Sequence, residues 1–186
     1  MTPRSATNLL QTLAERTREN LRIAETFLAL PSSALHRRPR PESWNALECL
    51  AHLNKYSAYY LPEMRQRMAT TKHRGNTATF TSSWLGNKFA AGMKPGERMR
   101  KISAPGNANP AKHAELVTET TLADFLRSQE ETLELLALAA HVDLTKTTTG
   151  TSLTNLLRLR LGDTLRVVVY HNWRHVEQAL RAVKAT

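Results

Sequence analysis

His171 and His175 stand four apart in His171-Asn-Trp-Arg-His175-Val-Glu-Gln178. A helix turns about 100° per residue, so the two imidazoles share a face, one turn apart, and can reach one ion together. Two imidazoles leave a metal site incomplete. The candidate third ligand is His52, in Trp44-Asn-Ala-Leu-Glu-Cys-Leu-Ala-His52-Leu53. Three neutral imidazoles suit zinc, nickel, copper or iron and leave coordination positions open, as catalytic sites do. Such an ion could acidify water or hold a substrate thiol as the thiolate. The same spacing fits two surface histidines on an amphipathic helix, because the pair lacks the Glu that makes the metalloprotease motif specific. His52, beside an apolar seam, also reads as a packed, hydrogen-bonded residue. Cys49, one turn before His52, is a conceivable thiolate, and its simpler reading is a small buried hydrophobe.

Periodicity gives the elements that must position these side chains. Leu10, Leu13, Thr17, Leu21, Ala24 and Leu28 repeat at three-four spacing over residues 7–29, an amphipathic helix ended by Pro31-Ser-Ser. A second helix begins at about Ala46. Asn45 can cap it, Glu48 can return the bond, and Trp44 can staple onto Cys49. Ala46, Leu50, Leu53, Ser57, Tyr60 and Met64 form its core stripe, with Cys49, His52, Tyr56 and Tyr59 on the stripe beside it. The tyrosines read as interface packing. Pro62 predicts a kink or a fresh start.

Over residues 70–110 periodicity fails and Gly and Pro accumulate, with room for one short helix within 81–93. A third helix over about 121–140 puts Leu122, Leu126, Gln129, Leu133, Leu136 and Ala140 on its seam. Residues 143–154 read as a polar loop, and 156–161 as an extended piece or a helical lead-in. A fourth helix starting near Asp163 and running to about Lys184 carries the histidine pair.

At 186 residues the chain fits one domain, residues 1–186. Its single cysteine excludes an intrachain disulfide and fits a reducing compartment. No segment approaches the ~20 apolar residues of a membrane span, so the expectation is a soluble, cytoplasmic protein with no membrane partner. The net charge of +10 is concentrated: between Arg65 and Lys112 ten Lys and Arg face one acid, Glu97. This basic 65–112 segment could draw a polyanion, focus an acidic small substrate, or be a solvated loop. A non-enzymatic module binding nucleic acid or an acidic partner through it is therefore the alternative function, tested by charge reversal at Arg98, Arg100 and Lys101. Nucleic acid is the less favoured partner, because no standard binding motif is present.

Trp44-Asn-Ala-Leu-Glu48 followed by His52-Leu53, and His171-x-x-x-His175-x-x-Gln178 near the C-terminus, resemble the DinB-like superfamily, with its YfiT-like metal-dependent hydrolases and thiol-dependent transferases. The resemblance covers essentially the whole chain. It implies an all-α four-helix bundle running up-down-down-up, with a long connection between helices two and three. It also implies a metal triad of His52, His171 and His175, occupied by nickel or zinc with iron as an alternative, and Gln178 beside the last ligand. The implied function is that of a hydrolase or a low-molecular-weight-thiol transferase acting on a small molecule, and family members often form homodimers. The basic connection departs from the pattern, and no acid or base near the triad can be named from sequence.

Overall fold

The computed structural model describes residues 1–75, 77–96 and 105–185, with Asn155 described by its backbone alone. After the short strand β1 (Arg4–Ser5), helix α1 (Ala6–Glu25) opens where the Ser5 side chain accepts from the Asn8 amide. A 3-10 turn (Thr26–Ala29) follows. The tighter winding breaks the expected stripe, and Leu28 ends 64% exposed. After the one-turn helix α2 (Ser32–Leu35) comes α3 (Ala46–Thr70), which starts with the capping box: the Glu48 amide donates to Asn45 Oδ1 at 2.8 Å and the Asn45 amide to Glu48 Oε2 at 2.9 Å. Of the two outcomes expected at Pro62, a kink or a fresh start, the fresh start does not occur: α3 runs through the proline. Proline leaves the Ala58 carbonyl without its helical donor, but both residues are exposed, so water can supply one.

The chain is mostly helical, and among the described residues two small two-stranded sheets accompany the helices. β1 pairs antiparallel with β2 (Thr79–Phe80). The expected polar loop and the piece after it form a hairpin, β3 (Thr148–Thr151) against β4 (Thr154–Arg160). Its threonines and alternating leucines favour a pleated surface with one face covered. Tyr59 Oη donates to the Thr151 carbonyl at 3.0 Å, the Gly150 amide to Glu63 Oε1 at 2.7 Å, and Tyr60 Oη bonds Ser152 Oγ at 3.2 Å. These bonds strap the hairpin onto α3.

Helix α5 (Thr121–Ala139) buries Thr121, Phe125, Ser128, Thr132, Leu135 and Ala139 together with Gln129 and Leu136. Leu122, Leu126 and Leu133 are only partly buried, so the core stripe lies beside the expected one. Leucines occupy both stripes, and burying the ring of Phe125 decides between them. Helix α6 (Leu161–Val183) follows β4 directly. α1 and α3 each pack on both α5 and α6. One apolar cluster joins the start of α1, the end of α3, the end of α5 and the start of α6, through Leu13, Met64, Leu135 and Leu165 among others. A second joins the opposite ends, through Ala24, Leu50, Phe125 and Val176.

Helix α4 (Trp84–Met93) lies on α6. Asp163 lies in the first turn of α6, which begins at Leu161, and accepts from the Ser83 amide at the start of α4, at 2.9 Å. Arg166 donates to Asp163 at 3.1 Å, to Ser82 Oγ at 2.7 Å and to Asn87 Oδ1 at 3.1 Å. Several charges of the basic segment are engaged internally. Arg65 pairs with Glu131 and Glu134, Arg67 with Glu63, and Lys94 lies over the Tyr170 ring. Arg98, Arg100 and Lys101 lie outside the described residues.

Gly86 is the contact on which this docking turns, because a Cβ there would run into the Asp163 carboxylate. Gly86→Ala is expected to destabilise the protein by about 1–3 kcal/mol, the usual scale of overpacking. Denaturant unfolding checks this, and an unchanged midpoint would mean that α4 does not pack this closely.

Candidate metal centre

His52 sits on the second turn of α3 and is 3% exposed; His171 and His175 sit one turn apart on α6. The packing of α3 against α6 brings them together. The ring centroids form a nearly regular triangle, 5.0 Å for His52 to His171, 4.7 Å for His52 to His175 and 4.8 Å for His171 to His175. One ligand atom from each lies within 4.8 Å of the others. His52 Nε2 and His171 Nε2 are 3.2 Å apart. Two nitrogens each about 2.1 Å from a tetrahedral ion are roughly 3.4 Å apart, so this pair already has the spacing.

The outer nitrogens are oriented by neighbours. His52 Nδ1 lies 2.6 Å from the Ala108 carbonyl, and His175 Nδ1 lies 3.0 Å from Gln178 Oε1. An Nδ1–H donated to each oxygen leaves the Nε2 lone pair available, the arrangement that metal-binding imidazoles use. Gln178, one turn beyond His175, thus stands in contact with that ring. Trp44 packs against His52 and His175 at centroid distances of 4.9 and 5.7 Å.

All three imidazoles are held neutral. Burial pushes the pKa of His171 down to about 3, helped by His52 and Arg174. Burial also lowers His175 well below its ordinary value, with His171, His52 and Arg174 adding to the effect and Gln178 opposing it. For His52, burial lowers the value and the Ala108 carbonyl offsets part of it. Cys49 stays apart: it is fully buried, its thiol is pushed far up by burial first and Glu48 second, and it does not join the cluster. The residues present therefore fit a divalent ion bound by nitrogen.

The three histidines line a cavity of about 570 Å³. Leu85, Phe89 and Met93 of α4 form one wall, with Leu153 and Leu159 of the hairpin region among the other apolar groups. Tyr56, Lys88 and Arg174 also line it, and Arg174 donates to the Gly92 carbonyl at 3.1 Å. Sequence reasoning did not pick out α4, the hairpin, Arg174 or Tyr56 as parts of this site. The available signals were positional: Arg174 lies between the paired histidines, and Tyr56 lies one turn beyond His52 on its stripe.

A model of the DinB superfamily matches residues 13–179, most of the chain. No curated protein and no solved structure matches it.

The depressed imidazole pKa values set a pH dependence for metal-free protein. Between about 3 and the ordinary 6.5, the unfolded chain protonates His171 and the folded chain does not, so the unfolded state binds more protons. The corresponding stability is fully present above 6.5 and is lost as pH falls. The melting temperature of chelator-treated protein should drop between pH 7 and pH 5, and His171→Asn should flatten that slope. Equal slopes would contradict a depressed pKa for the half-buried His171 imidazole.

Proposed function

The chain belongs to the DinB superfamily, and from that premise we propose that it is a metal-dependent enzyme in which His52, His171 and His175 hold one divalent ion. Nickel or zinc is the favoured occupant, with iron as an alternative. The observation that carries this reading is the convergence of three neutral imidazoles beside an apolar cavity. Once bound, such an ion acidifies a water or a thiol, which suits hydrolysis of a small molecule or transfer of a low-molecular-weight thiol to it. The protein's own groups do the rest. Ala108 and Gln178 orient the ligand rings, Trp44 packs against two of them, and Leu85, Phe89 and Met93 give an apolar substrate a dry wall.

The same proposal covers the architecture: one domain over residues 1–186, a four-helix bundle running up-down-down-up. Its support lies in the two clusters. The start of α1 and the start of α6 share one, with the ends of α3 and α5, and the opposite ends share the other. Two parallel neighbours, α3 and α5, then require the long connection that carries α4.

Metal analysis of protein purified without chelator tests the function. Wild type should carry about one equivalent, and the His52→Ala, His171→Ala, His175→Ala triple variant none, with helix content retained. Metal retained in the triple variant would sink the reading. Gln178→Ala, which removes only the support of one ring, should weaken metal affinity about 10–100-fold; competition with a chromogenic chelator measures it, and unchanged affinity would remove Gln178 from the site.

A further inference from the structure

The described lining of the cavity holds no carboxylate. Several of its protic groups have partners within the protein: Tyr60 and Ser152 bond each other, Thr151 Oγ1 donates to the Thr154 carbonyl, and Arg174 donates to the Gly92 carbonyl, while Lys88 is exposed and lies over the Trp84 ring. Tyr56 is different. Its ring meets the ring of His52 at 4.9 Å and 62° and that of His171 at 5.0 Å and 86°, so it borders two of the three imidazoles at once. It also lines both the apolar cavity and a neighbouring, more polar cleft that includes Lys55, Asn107 and Thr154. The hydroxyls of Tyr59 and Tyr60 are used to strap the hairpin, whereas among the described residues none bonds the hydroxyl of Tyr56. The ring is half-buried and its hydroxyl is not among the solvent-excluded polar atoms.

We propose that Tyr56 is a catalytic residue: its phenol O–H donates a hydrogen bond to an oxygen of the ligand held beside the imidazoles, and so stabilises negative charge that develops there. This rests on the metal-dependent reading above. The proton stays on the phenol throughout; what the residue contributes is a fixed donor in a low-dielectric cavity, where a single such donor has its largest effect. The ligand class follows from the same surroundings. It carries an apolar body against Leu85, Phe89 and Met93, and a carboxylate-like or carbonyl oxygen on the side of Tyr56 and the histidines.

The test uses full-length protein loaded with cobalt(II), whose visible spectrum reports anion binding, and acetate as the probe. Tyr56→Phe removes the hydroxyl and keeps the ring that packs on the histidines; Tyr59→Phe is the control, since its hydroxyl serves the hairpin. Wild type and both variants should take up one equivalent of cobalt. Acetate affinity should fall about tenfold or more in Tyr56→Phe, the scale of a hydrogen bond to a charged group, and hold in Tyr59→Phe. Equal acetate affinity in wild type and Tyr56→Phe, a wild-type spectrum indifferent to acetate, or loss of cobalt from Tyr56→Phe alone overturns the proposal for Tyr56 and leaves the metal centre standing. Absence of cobalt from wild type overturns both.

Discussion

The approach of His52 Nε2 to His171 Nε2, 3.2 Å across a sequence separation of 119 residues, is the contact on which the rest of the site depends. It requires α3 and α6 to pack with their histidine faces in register. It also requires both rings to remain uncharged, since two imidazolium ions at that distance would repel strongly in a buried setting. Burial supplies the second condition and helix packing the first. Neither is local to the histidines: the capping box fixes where α3 begins, and Val169 and Val176 are buried in the two apolar clusters that hold α6.

Helix α6 therefore serves several masters along its length. Its first turns carry Asp163 and Arg166, which dock α4. Its middle carries His171 and His175, while Asn172 turns inward to bond Gln129 at 3.3 Å. The outcome is a cavity walled by α4 on one side and by the strapped hairpin on another, with the imidazoles between. Apolar walls matter chemically because they exclude water and strengthen each remaining electrostatic contact.

What the sequence discloses and what it hides divide along contact range. The i, i+4 histidine pair, the Asn45 and Glu48 capping box and the core stripe of α3 are local patterns, legible because a helix repeats them every turn. His52 stood as the candidate third ligand beside a simpler reading as a packed residue, and the resemblance pointed to the same three histidines; the family match over residues 13–179 bears out that resemblance. The Ala108 carbonyl that orients His52 left no trace in the sequence, since a backbone group has no residue preference. The β3–β4 hairpin was hidden for a similar reason. Its threonines read as loop residues until Glu63, Tyr59 and Tyr60 of α3 are seen to strap it down. On α5 the two apolar stripes were nearly equivalent, and only burial of Phe125 separates them.

Anomalous diffraction from crystals soaked in zinc or nickel tests the central claim most directly. The account predicts one strong peak bounded by His52, His171 and His175, with a nitrogen of each about 2.0–2.1 Å from the ion. A peak bound elsewhere, or one that His52 does not ligate, would contradict it.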